Sequence, residues 1–146
     1  MSFLSSFDIS ASGMTAQRLR LDIASQNIAN IETTRTENGT PYRRKQVVLE
    51  ERTRSPFQVT LDQAMNQVDT PAGVIVKQIT EDQSDLKSVY NPTHPDADEQ
   101  GYVQMPNVDL IQETIDGMAA SRAYEANITA FNAMKLMAQK VLEIGK

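Results

Sequence analysis

Proline occurs in this chain only at positions 41, 56, 71, 92, 95 and 106. A proline inside a helix removes a backbone donor and clashes with the preceding turn. Residues 1–40 and 107–146 are therefore free to form long helices, whereas the stretch between them is punctuated for turns and short strands. Charge follows the same partition. Residues 1–35 balance three acids with three bases, and residues 107–146 set five acids against four bases. Residues 36–106 carry eleven acids and seven bases, which is −4 of the chain's net −5. The sequence predicts an α+β chain in three parts: a helix within 1–35, a small β-rich middle over 36–106 and a helix over 107–146.

Composition excludes several chemistries. With no cysteine there is no disulfide, thiolate metal site or thiol nucleophile. A net charge of −5 disfavours a general nucleic-acid surface. No run approaches the ~18 apolar residues of a membrane span. The N-terminal residues lack a basic segment followed by a continuous apolar one, so no cleaved secretory signal is expected. There is no Gly-rich phosphate loop, G-x-S-x-G elbow or H-E-x-x-H pair. The single histidine, His94, lies near Asp96, Asp98 and Glu99 in a proline-rich turn, which reads as a polar loop rather than a ligand set. The chain is expected to be no enzyme and to bind no cofactor or metal.

In the N-terminal flank, a helix over 3–32 places Phe7, Met14, Leu21 and Ile28 seven residues apart, a seam of coiled-coil type. A second series, Ile9, Ala16 and Ile23, falls about 200° around the helix. Two apolar sides call either for a fully wrapped core helix or for a partner outside the chain. Near the end of this helix Gln26, Asn27 and Asn30 are polar, whereas Ile28 and Ile31 are apolar. The amides read as a fraying helix end on propensity, or as side chains fixing register inside a helical interface.

The C-terminal flank offers Asn107, or Asp109 with Gln112, as its N-cap. An apolar stripe runs through Val108, Ile111, Ile115, Met118, Ala119, Ala123, Ala126, Ala130, Ala133, Met137, Val141 and Ile144. Arg122, Tyr124 and Asn127 lie beside its alanine-rich centre. Two helices this long bury little against a small domain and are expected to pack on each other as an antiparallel coiled coil. In the middle, 42–51 and 73–80 read as strands, 57–61 as a weaker strand and 61–68 as a helical turn. The run DEQG before Tyr102 reads as a turn into a short strand. Arg43, Arg44 and Lys45 read as a solvated strand surface, since Glu50 and Glu51 follow.

These residues resemble the axial proteins of the bacterial flagellum. The resemblance lies in ISASGMTAQRLRLDIASQNIANIETT (9–34) and NVDLIQETIDGMAASRAYEANITAFNAMK (107–135). The stretch YNPTHPDADEQGYVQMPNVD (90–109), with PYRRKQVVLEE and GVIVKQITED, is similar to the proximal rod members in particular. The resemblance implies a structural subunit of the basal-body rod that crosses the periplasm, is exported without signal cleavage and polymerises through both terminal helices. Its implied partners are itself and other rod proteins, with the membrane ring or its adaptor and the export gate as further candidates. Candidate interface residues on this reading are Phe7, Met14, Leu21, Asn27, Ile28, Asn30, Ile31, Ile115, Arg122, Tyr124, Ala126, Asn127, Ala130, Met137 and Val141. The competing readings are another axial protein of rod or hook type, and a coiled-coil adaptor that does not polymerise.

Overall fold

A computed structural model describes residues 3–53, 60, 64 and 73–144 of the chain. The proline-free ends are helical: α1 spans Phe3–Ala29 and α2 spans Leu110–Ile144. The described part of the middle holds four strands, β1 (Lys45–Glu51), β2 (Val74–Glu81), β3 (Lys87–Tyr90) and β4 (Tyr102–Met105). They form two-stranded sheets, β1 with β2 and β3 with β4. The expected strand and helical turn over 57–68 lie outside the described residues, save Thr60 and Ala64, which are helical. Among the described residues no helix is long and apolar enough to cross a membrane.

Each helix ends where its local chemistry changes. At the end of α1, Asn30 Nδ2 donates to the Gln26 carbonyl and Thr33 Oγ1 donates to Asn30 Oδ1. These side chains draw the backbone out of the helix, as short polar residues do at termini. At the start of α2, Asp109 Oδ1 accepts the backbone N–H groups of Ile111 and Gln112, so Asp109 is the N-cap. Asn107 is used elsewhere: its Oδ1 accepts the Arg44 N–H, and its Nδ2 donates to the Asp82 carbonyl and to Ser84 Oγ.

The Asp109 cap has a pH consequence. Hydrogen bonds from the Gln112 and Ile111 N–H groups hold its carboxyl below the usual carboxylate range. A depressed folded-state pKa stabilises the fold above the unfolded value and ceases to do so as pH falls through the folded one. The contribution of Asp109 is therefore expected to fade on acidification below about pH 4, near the ordinary aspartate value. Asp109→Asn keeps a capping oxygen and should remove this part of the acid dependence, whereas Asp109→Ala should weaken α2 at every pH. Thermal melts of the three proteins between pH 3 and pH 7 check this.

The described residues divide into two compact units, each drawing on both helices and the middle. The first comprises Met1–Arg18, Leu49–Lys77 and Ala120–Lys146. In it Phe7 meets Phe131 edge to face at 4.9 Å between ring centroids. Gly13 lies against Asn127, where a Cβ would come within 3.0 Å of Oδ1. Gly73 takes φ +91°, and a Cβ there would meet Ser12 Oγ at 2.3 Å. That hydroxyl accepts the Val74 N–H, so only glycine permits this junction of strand and helix.

The second unit comprises Leu19–Val48 and Gln78–Ala119. Its buried residues include Ile23, Ala24 and Asn27 of α1, Tyr42, Val103, Pro106, Val108 and Glu113. Gly117 approaches Leu21 and Ala24 at ordinary contact distance. β3 and β4 pair antiparallel, from Lys87 opposite Met105 to Tyr90 opposite Tyr102, and the two tyrosine rings stack edge to face.

Candidate functional site

The faces of the two helices decide what the chain can do. On α2, the buried and partly buried side chains are those at 113, 116, 117, 120, 121, 123, 124, 127, 128, 131, 134 and 138. Within that set 113, 117, 120, 124, 127, 131, 134 and 138 are spaced alternately by four and three residues, the period of one helix face. The stripe expected from apolar periodicity lies on the other face. Ile111 is 73 % exposed and Val141 69 %, and Ile115, Met118, Ala126, Ala130 and Met137 are exposed with them. Among the described side chains of that stripe only Val108 is buried and Ala123 partly so. The reason is chemical. The inner face carries a glutamate, a glycine and an asparagine whose polarity or small size hides its periodicity, and the outer face is apolar without being covered by the described chain.

On α1 the inward face is the second series, with Ala16 and Ile23 buried and Ile9 partly so. Of the first seam Leu21 is exposed, and Phe7, Met14 and Ile28 are half-buried. Asn30, Ile31, Tyr124 and Asn127 are also half-buried, and Arg122 is exposed. The candidate residues on α2 thus separate. Ile115, Arg122, Ala126, Ala130, Met137 and Val141 share the outer face, and Tyr124 and Asn127 belong to the inner one. Asn127 Nδ2 donates to the carbonyl of Ala123 one turn back.

Asn27 has a different role from that of a fraying helix end. It is 1 % exposed and uses its whole hydrogen-bonding capacity within the second unit. Its Nδ2 donates to the Lys45 carbonyl and to Glu113 Oε2, each at 2.9 Å. Its Oδ1 accepts the Tyr42 hydroxyl at 2.8 Å and the Lys45 N–H at 2.9 Å. Glu113, 2 % exposed, also accepts from Arg44 Nε. The same guanidinium reaches Asp116 Oδ2 at 2.9 Å, and Asp82 lies at 4.0 Å.

Arg44 is therefore not a solvated strand residue. Burial opposes its charge, but the hydrogen bond and charge of Glu113, with Asp116 and Asp82 behind them, hold its pKa above the usual arginine value. Burial first, and then the Glu113 and Glu81 charges, push the Tyr42 phenol up and keep it a neutral donor to Asn27. The signal for this cluster was the pair of acids Glu113 and Asp116, three apart at the start of α2. Their position also suits the helix dipole, so a buried partner is not needed to explain them.

An open cleft of about 260 Å³ lies beside the cluster, walled by Arg20, Ile23, Ala24, Gln46 and Val47 with the residues above. Among the described residues no buried side-chain nitrogen or oxygen lacks a hydrogen-bond partner. The arrangement is chemically closed and joins α1, the start of β1 and α2 through bonds of fixed direction. Around His94, Nδ1 accepts the Asp96 N–H, and the Asp96 carboxylate is engaged by Thr34 Oγ1 and lies 3.8 Å from Arg35 Nη1. Asp96 is thus tied to the segment that follows α1.

Comparison with known proteins bears on both helices. Residues 7–35 match the family model described as flagella basal body rod protein, and residues 99–144 match that of the flagellar basal body rod FlgEFG protein C-terminal region. The chain is 48 % identical to the flagellar basal-body rod protein FlgC of Bacillus subtilis, with both chains covered in full. It is 43 % identical to FlgC of Salmonella typhimurium, again over the whole of both chains. It is also 43 % identical to FlgC of Borreliella burgdorferi, over 99 % of this chain and 98 % of the relative.

Proposed function

The chain belongs to the FlgC family of flagellar basal-body rod proteins and is a structural subunit of that rod, and from this premise we propose that it builds the proximal rod by helical polymerisation through its two terminal helices. The observation that carries the polymerising role is the outer face of α2. Ile115, Ala126, Ala130, Met137 and Val141 lie exposed on one helix face and span about 40 Å of it at ~1.5 Å per residue. Neighbouring subunits supply the cover, with Arg122 at the polar rim, and open helical assemblies arise from repeated contacts of this head-to-tail kind.

Within a subunit the two helices pair antiparallel as a coiled coil. In the first unit Phe7 meets Phe131 and Gly13 meets Asn127. In the second Ala24 lies by Gly117 and Asn27 bonds Glu113. Inside each unit the partners run in opposite chain order, which supports this pairing. Phe7, Met14, Ile28, Tyr124 and Asn127 then serve the pairing, with Leu21 at its edge beside Gly117; Asn27, Asn30 and Ile31 set where α1 ends.

The parts divide their work: 1–35 and 107–146 assemble, and 36–106 meets adjacent layers. The subunit transmits torque and encloses the export channel across the periplasm, and its relatives' role as rod proteins fits a chain without catalysis. Its partners are its own copies and other rod proteins, with the membrane ring or its adaptor and the export gate at the base. A coiled-coil adaptor needs one apolar seam per helix, and the second apolar face of α2 favours polymerisation over it.

A photo-crosslinking side chain at Met137, in basal bodies assembled in cells, is expected to capture a neighbouring rod subunit. An assembled rod in which position 137 crosslinks only within the same subunit, and to no second copy or other rod protein, contradicts the reading.

A further inference from the structure

Three features of the second unit are independent of how copies associate. Glu113 is a buried carboxylate whose two described side-chain partners come from elsewhere: Asn27 on α1 and Arg44, the residue immediately before β1. Asn27 in turn fills both acceptor positions of its amide oxygen from the same short segment, through the Tyr42 hydroxyl and the Lys45 N–H. That segment is itself held on its far side, since the Arg44 N–H donates to Asn107 Oδ1 and the Arg44 carbonyl accepts the Asp82 N–H next to β2.

Removing residues 42–45 from this picture leaves a specific deficit. Glu113 would keep one neutral amide donor and lose its countercharge, and the Asn27 oxygen would lose both donors. A buried ionised carboxylate without its cation is among the most destabilising groups a fold can hold. In the observed register α1 and α2 therefore cannot pair favourably by themselves. Asn27 is the one asparagine among the α1 residues buried in this unit, so the observed register is the one that sets an asparagine amide against Glu113.

We propose that Asn27, Arg44 and Glu113 form a register lock that makes pairing of α1 with α2 conditional on the prior or simultaneous folding of the β1 segment. A single buried polar group can specify register in coiled coils at a cost in stability. Here the group is split over three elements, so the middle of the chain controls when its two ends come together. For a subunit that polymerises through those ends, the lock keeps an incompletely folded copy from offering correctly paired helices to the assembly. This consequence rests on the function proposed above, whereas the lock is measured on the isolated chain, so the two fail separately.

Native-state hydrogen exchange on the full-length chain tests it, with amides followed at 23–28 in α1, 45–48 in β1 and 113–120 in α2. In the wild type the three groups are expected to share one opening equilibrium and one denaturant dependence. Arg44→Met should raise exchange in all three by the same factor. In Asn27→Leu/Arg44→Met/Glu113→Leu, which replaces the lock by apolar side chains, the helix amides should stay protected while those of β1 exchange at least tenfold faster. Wild-type β1 amides opening tenfold or more faster than the helix amides would overturn the lock. So would a triple variant that retains one common opening equilibrium.

Discussion

Glu113→Ala is expected to lower the folding stability of the chain by about 3–5 kcal/mol, the range for breaking a buried pair from one side. The carboxylate is 2 % exposed and accepts from both Arg44 Nε and Asn27 Nδ2, so its removal leaves two buried donors facing a void. Arg44 retains Asp116 at 2.9 Å, which places the loss toward the lower end of that range. Glu113→Gln separates charge from shape. A carboxylate only accepts, whereas a glutamine amide must present one donor. Both neighbouring groups are donors, and Asn27 cannot invert its amide, because its oxygen already holds the Tyr42 hydroxyl and the Lys45 N–H. Glutamine should therefore still cost about 1–3 kcal/mol, the penalty of an unsatisfied buried polar group. Urea unfolding of the two variants beside the wild type measures this. A loss below about 0.5 kcal/mol, typical of a surface position, would show that the cluster does not hold the unit together.

The second large effect concerns assembly and leaves folding almost untouched. Ala126→Asp and Met137→Asp place a carboxylate on the exposed apolar face of α2. In the free subunit each should alter stability by less than about 1 kcal/mol, mainly through helix propensity. In the rod the same carboxylate must be buried against a neighbour's apolar surface without a countercharge, which is strongly unfavourable. Cells carrying either variant as their only copy are expected to export the subunit yet form no rod and show no motility. Unfolding curves of the purified variants, set beside swarm diameter and isolated basal bodies, separate the two effects. Normal rods with either variant would count against the outer face as an interface.

Much of the architecture was legible in proline alone. Each proline-free flank holds one of the two helices, and three of the four strands lie where β-branched runs or a glycine turn announced them. β3 was missed because KSVY is short and exposed throughout, with no alternation to detect. The faces of α2 were harder. A periodic apolar stripe is ordinarily read as the buried side, but in a subunit with an interface on each side of a helix it can equally mark the outer one. The true inner face has Glu113 and Asn127 among its members, and a pattern search counts those as solvent-facing. Asn27 did leave a trace, since three amides in five residues are unusual on a helix with two apolar sides. What sequence could not supply was the partner: Arg44 lies 17 positions away and Glu113 86, and only the fold brings them together.

The glycines show the same limit from the other direction. Gly73 and Gly101 adopt φ of +91° and +83°, where a side chain would be strained. Gly13 and Gly117 sit in helices, where glycine is unfavourable by propensity, and there each marks the approach of the other helix within its unit. A glycine inside a helical pattern therefore pointed to close packing, a signal independent of hydropathy.

Electron microscopy of the intact basal body at side-chain resolution tests the central claim most directly. The account predicts this chain in the proximal rod, with Ile115, Ala126, Met137 and Val141 covered by neighbouring subunits and Asn27, Arg44 and Glu113 bonded within each copy. A rod in which that face of α2 lines open solvent or the channel, or in which this chain occupies no rod layer, would contradict it.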